Sequence, residues 1–171
     1  MAYLDLAERD RRLARMRDIM AAQDLDVALV YYDEFNIGNG WYLTGWCPQF
    51  ESGAVLVPRV GEPMLLGGPE SEPFAKFDSA VKDTRNFTVF MVPNEEYPNA
   101  TITDFPALFD EMTQRFGPVR RVGLVGGGRM PAACYQQIVD GFEGVQLVDM
   151  TDEFVALRFV KSPWEMEQIR A

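Results

Sequence analysis

The sequence predicts an α/β domain in which one sheet carries helices on both faces. Two observations lead there. Several short apolar runs do not alternate with polar residues, as expected of strands covered on both sides. Between them lie segments with apolar residues at helical spacing, suited to lie over such a sheet. A length of 171 residues suits one domain, or one domain with a short extension. With 47% apolar residues and 12% aromatics, the chain has material for a sizeable core.

The organising stretch runs from Trp41 to Glu70. Gly53 to Val57 is apolar and ends at Pro58. Arg59 to Pro63 supplies turn chemistry, since Gly61 accepts positive φ and Pro63 presets φ. Met64 to Leu66 is a second apolar run, closed by Gly67-Gly68-Pro69. Two such runs with a short Gly-containing connection predict a β-hairpin in the middle of the sheet.

Leu4 to Ala22 carries Leu6, Leu13, Met16, Ile19 and Met20 on one stripe, which predicts an amphipathic helix. Its cluster Arg9, Arg11, Arg12, Arg15 and Arg17, interleaved with Glu8, Asp10 and Asp18, reads as a solvated face. Asp26 to Tyr32 is a strand. Asn36 to Gly40 reads as a loop, and Trp41 to Thr44 as a helical turn. Trp41 and Tyr42 are expected to roof the sheet, whereas Trp46 and Phe50, flanking Cys47-Pro48-Gln49, are candidates for a ligand wall or partner surface. Ser71 to Asp78 predicts one or two helical turns. Val81–Asp83 and Phe87–Phe90 read as short extended pieces, and 93–101 as an exposed loop. Phe105 to Phe116 is helical, with Thr103 or Asp104 as N-cap and Gly117-Pro118 as stop. Arg121 to Val125 is a strand, and Pro131 suits the first turn of a helix reaching about Phe142. A strand over Val145 to Val148 precedes a helix capped by Thr151 or Asp152. Ser162, Pro163 and Glu165 then specify a final helix start. Two turns alone are marginal in water, so the chain is expected to stop just inside the first helix of a following domain.

Lys and Arg total 16 against 26 Asp and Glu, a net charge of −10. Such a chain repels phosphate backbones and offers no polybasic segment to an anionic membrane. No apolar run approaches the ~20 residues that span a bilayer. The charged N-terminus lacks the apolar core of a secretory signal. Cys47 and Cys134 read as reduced thiols, and a cytoplasmic location is expected. The absence of histidine removes a His-based triad, a His general base and a His-ligated metal from consideration.

Two patterns invite chemistry. Gly126 and Gly128 follow a strand and precede a helix, and Asp149 stands where a ribose-binding acid would sit. This supports an alternative reading as a Rossmann-like small-molecule or nucleotide-binding module, although Pro131 occupies the place of the third glycine. Asp33, Glu34, Glu51, Glu70 and Glu72 lie near strand ends; without a fixed ligand spacing they read as solvated loop charges.

Taken in order, DVALVYY, WYLTG, GAVLVPRVGEPMLL, RVGLVGGGRMP and the closing KSPWEMEQIR resemble the N-terminal domain of the creatinase/prolidase/aminopeptidase P superfamily. The resemblance covers essentially the whole chain. It implies a three-layer α/β/α domain with a mixed sheet, similar to ribonuclease H, over residues 1–160. Residues 161–171 would begin a linker helix into an absent pita-bread catalytic domain. That domain would hold two divalent metals (Mn, Co or Zn) and hydrolyse Xaa-Pro peptides or a creatine-like substrate. This chain itself would hold no catalytic residue, metal or cofactor. Its implied partners are its own catalytic domain and further copies of itself, as a homodimer or higher oligomer. It would also shape a neighbouring subunit's active-site entrance through Trp46, Phe50 and Ser52. In creatinase-type members a Phe at the place of Phe50 reaches the adjacent subunit's substrate, with an Arg two residues later. Ser52 replaces that Arg here, which points to a prolidase-like hydrolase rather than to creatine hydrolysis.

Overall fold

The computed structural model describes residues 4–171. Among them seven strands form one mixed sheet, in the order β5-β4-β3-β2-β1-β6-β7. The strands are β1 Val27–Tyr32, β2 Gly53–Pro58, β3 Met64–Gly67, β4 Thr84–Phe87, β5 Ile102–Thr103, β6 Arg121–Val125 and β7 Gln146–Asp149. The helices are α1 Leu6–Ala22, α2 Ile37–Thr44, α3 Glu72–Asp78, α4 Phe105–Phe116, α5 Ala132–Gly141, α6 Thr151–Leu157 and α7 Pro163–Arg170.

The hairpin of β2 and β3 pairs Ala54 with Leu66 and Leu56 with Met64, and β2 is the middle strand of the sheet. β1 is antiparallel to β2 and parallel to β6. Because strand side chains alternate, the non-alternating sequence of β1 and β2 feeds two cores at once. Ala28, Val30, Tyr32, Val55 and Val57 face one layer, where Met16 and Met20 of α1, Leu43 of α2 and Phe154 of α6 meet them. Val27, Leu29, Tyr31, Ala54 and Leu56 face the other, against α4 and α5. The result is the three-layer α/β/α arrangement expected from the sequence.

The helix starts are chemically specified. Asp5 accepts from the Ala7 and Glu8 amides at 2.8 and 3.2 Å, and Asp104 from the Ala107 amide at 2.9 Å. At α7 the capping box is complete: Ser162 Oγ accepts from the Glu165 amide at 3.0 Å, and Glu165 Oε2 accepts from the Ser162 amide at 2.8 Å. For α6 the N-cap is Met150, not Thr151 or Asp152.

Several expectations are corrected. The Asn36–Gly40 stretch is mostly helix, since α2 begins at Ile37. Gly38 and Gly40 made it read as a loop, but Gly40 sits at a crowded point of the fold. A Cβ there would lie 3.2 Å from both the Tyr32 ring and the Trp46 carbonyl. Trp41 does not roof the sheet; it is exposed, while Tyr42 is buried. Val81–Asp83 is irregular, the strand is Thr84–Phe87, and Thr88–Phe90 is a single 3₁₀ turn. The polar residues of β4 hid its pairing with β3 and with the two-residue edge strand β5.

Candidate functional site

The loop between α2 and β2 carries the site residues predicted from sequence. Gly45 ends α2 at φ +66, a left-handed conformation that glycine adopts without a Cβ penalty. The buried Thr44 hydroxyl accepts from the Trp46 amide at 3.0 Å and fixes the turn. Trp46 therefore packs into the core at 9% exposure rather than forming an open surface. Phe50 does the opposite: it is 77% exposed. Ser52 is half-buried, and its amide donates to the Phe90 carbonyl at 3.2 Å. The three residues thus share one loop, but only Phe50 presents its full side chain outward.

Beside this loop is a cleft of about 360 Å³, between the loop and the start of α3, with Trp46, Cys47, Phe50, Glu51, Ser71 and Phe74 in its lining. Glu51 was expected to be a solvated loop charge. It is instead 4% exposed, its Oε2 accepting from the Ser71 amide at 2.9 Å. Burial raises its pKa, and hydrogen bonds from Ser71 and the Glu70 amide oppose the shift only in part. Burial likewise pushes the Cys47 thiol up to about 12, with the Asp33 charge adding to it, so this thiol is not an activated nucleophile.

The remaining carboxylates are engaged locally or solvated. Asp33 accepts from the Phe35 and Asn36 amides, and Glu72 from Thr84 and Asn86. Glu34 and Glu70 are exposed. Asp149 Oδ1 accepts from the Thr151 amide at 2.9 Å and its hydroxyl at 2.6 Å, which uses that acid to start α6. A Cβ at Gly128 would meet nothing within 4 Å, so the fold itself makes no demand for glycine there. Among the described residues no group of three or more His, Cys, Asp or Glu is placed to hold a metal ion.

A second polar centre was missed at the sequence level. The α1 arginines are not a uniformly solvated face: Arg12 is 4% exposed and Glu8 is 6% exposed. Glu8 Oε1 accepts from Arg12 Nε at 2.8 Å, from Arg11 Nη2 at 2.7 Å and from Ser162 Oγ at 2.9 Å. Arg12 Nη1 donates to the Tyr42 carbonyl at 2.7 Å, and its guanidinium lies between the Tyr42 and Trp164 rings at 4.6 and 5.5 Å. Burial alone would raise the Glu8 pKa, but donation from Arg11, Arg12 and Ser162 outweighs it and lowers it to about 2. This network latches the start of α7 onto α1 and α2. The only hint in the sequence was the i,i+4 spacing of Glu8 and Arg12.

Comparison with known proteins decides the relationship. A family model described as "Creatinase/Prolidase N-terminal domain" matches residues 12–160. The chain belongs to this family. No curated protein matches the sequence, but solved structures share the fold. The X-Pro aminopeptidase from Thermotoga maritima is 16% identical with a TM-score of 0.68, over 92% of this chain and 38% of that one. Dipeptidase PepE from Mycobacterium ulcerans is 20% identical with a TM-score of 0.67, over 97% of this chain and 40% of that one. An Xaa-Pro aminopeptidase chain from Streptococcus thermophilus, 19% identical with a TM-score of 0.62, is covered over 98% of its length. The creatinase/prolidase-type domain is thus part of a larger chain in the first two. No helix among the described residues is long and apolar enough to cross a membrane.

Proposed function

We propose that this chain is the non-catalytic N-terminal domain of a metal-dependent hydrolase of the Xaa-Pro dipeptidase or aminopeptidase type. Its role is to associate subunits and to shape the entrance of a neighbouring subunit's active site. The observation that carries this reading is Phe50, held outward at 77% exposure on a loop anchored by buried Trp46 on one side and Ser52 on the other. A large apolar side chain turned into water on a loop is suited to contact rather than to packing within its own chain.

The two divalent ions (Mn, Co or Zn) that such hydrolases use do not fit the residues described here, which offer no cluster of ligands. No chemical step is therefore assigned to this chain. Residues 161–171 are proposed to lead into the catalytic domain, with α7 aimed by the Glu8–Arg12–Ser162 latch. Two free cysteines suit a reducing compartment, and the cytoplasm is the proposed location.

The expected result is that the purified 171-residue chain does not hydrolyse Xaa-Pro dipeptides with Mn²⁺ or Co²⁺ added. Turnover that copurifies with the chain and disappears with a chelator would place the chemistry here and refute the reading.

A further inference from the structure

α7 is held to the domain by its first turn. Ser162 and Glu165 close the capping box, Ser162 also bonds Glu8, and the Trp164 ring lies 5.5 Å from the Arg12 guanidinium. Past that turn the helix is bare: none of its eight residues is buried, and Met166 to Arg170 are all exposed. A helix of two turns is marginal in water, and burial of one face supplies most of the stability of helices in proteins.

α7 borders a groove of about 470 Å³. It contributes Trp164, Gln168 and Ile169 to the lining. The end of α2 contributes Trp41 and Gly45, and Leu4 packs beside Gly45. The charged groups in the lining are spent inside the chain. Arg12 donates to Glu8 and to the Tyr42 carbonyl, Glu165 accepts from the Ser162 amide, and Lys161 donates to the Arg158 carbonyl. What remains turned outward is mainly apolar, with Trp41 37% and Ile169 66% exposed. Such a groove suits an apolar protein surface rather than a polar ligand.

The path of the chain selects the occupant. Ile169 lines the groove two residues before Ala171. A segment joined to Ala171 is delivered there at an effective concentration on the order of mM, well above that of a free second copy. A second copy also carries the same net charge of −10, which opposes close approach. In the Thermotoga and Mycobacterium relatives the matched domain is only 38% and 40% of the chain, so most of each polypeptide lies outside it.

We propose that the groove between α7 and the end of α2 is the docking site for the domain that follows α7 in the same polypeptide, a surface that rests on the reading of α7 as the lead into a catalytic domain. Trp41, Trp164 and Ile169 are buried against an apolar face of that domain. Docked there, it is held at a fixed angle to the sheet instead of swinging on a linker. Phe50 does not line this groove and stays free for a neighbouring subunit.

The test is hydrogen–deuterium exchange of the polypeptide encoded by the complete reading frame, compared with the 171-residue chain. The amides of residues 166–170 are expected to exchange about tenfold more slowly, or slower still, in the longer polypeptide. Continuation of the helix past Ala171 would protect the same amides, so the deciding variant lies on α2. Trp41→Ala is expected to remove several-fold of the protection in the longer polypeptide while leaving α7 exchange in the 171-residue chain unchanged. Ile169→Asp, at an exposed position, is expected to do the same. A reading frame that stops at Ala171 would remove the reading of α7 and the docking site together. A longer polypeptide whose α7 is not protected, or is protected regardless of Trp41, would overturn the docking site alone. Protection that grows with concentration in the 171-residue chain would assign the groove to a second copy and overturn the proposal.

Discussion

Replacing Arg12 with alanine is expected to lower the folding free energy by about 3–5 kcal/mol, because it removes the buried one of the two guanidinium partners of a buried carboxylate. Arg12 and Glu8 side chains are each 5% exposed and meet at 2.8 Å. The substitution also orphans the Tyr42 carbonyl and removes the cation from between two rings. Arg11 is the internal control. It bonds the same carboxylate, but its side chain is 38% exposed, so Arg11→Ala is expected to cost about 0–1 kcal/mol. Urea denaturation of the two variants checks the contrast; equal losses would mean that the latch is merely a surface ion pair.

The latch also fixes a pH dependence. The folded Glu8 pKa is lowered from 4.5 to about 2. A depressed folded value means that the unfolded chain binds the proton more readily, so this contribution is full above the unfolded pKa. It is lost as pH falls from about 4.5 toward 2. Glu8→Gln is expected to flatten that part of the stability profile, and an unchanged slope would contradict the assignment.

Phe105→Ala is expected to cost a further class of interaction, about 3–5 kcal/mol from transfer and cavity terms together. Phe105 is 1% exposed and opens α4 immediately after its Asp104 cap. Its ring centroid lies 4.8 Å from that of Phe87, 5.9 Å from Phe142 and 6.2 Å from Phe90. One side chain therefore joins β4, the following 3₁₀ turn, α4 and the end of α5. Its Cβ also abuts α5 so closely that Gly141 has no room for one. Phe77→Ala, by contrast, removes a ring that is 78% exposed and is expected to change stability by less than about 0.5 kcal/mol. Matched denaturation curves would show whether the aromatic cluster or mere apolar content holds this face together.

The physics of these residues explains what could be read from the sequence. The central hairpin was legible because Gly53 to Val57 and Met64 to Leu66 are apolar at every position, a pattern that only a strand buried on both faces explains well. The last helix was legible because Ser162, Pro163 and Glu165 act on neighbouring backbone groups, so local sequence suffices. The first half of α2 was not, since the Tyr32 ring and Trp46 carbonyl that crowd Gly40 lie outside the segment, whereas its second half, Trp41 to Thr44, was read as a helical turn. β5 was not, since two residues gain strand geometry only from their partner Asn86–Phe87.

The same division runs through the candidate site. Phe50 was singled out through its position in a family pattern, and the structure places it in solvent at 77% exposure. Glu51, one residue later, looked like any loop carboxylate. Its burial depends on Gly68 and Ser71, which lie in another part of the chain and come beside it only through the β2–β3 pairing. Arg12 was hidden in the same way, because its burial depends on Trp164 and Ser162 from the far end of the chain. Charge in a sequence does not reveal where folding will exclude water.

A crystal structure of the assembled oligomer tests the central claim most directly. The account predicts that the Phe50 side chain of one subunit lies against the active-site entrance of its neighbour. Phe50 left facing solvent, with subunits meeting on a different surface, would contradict it.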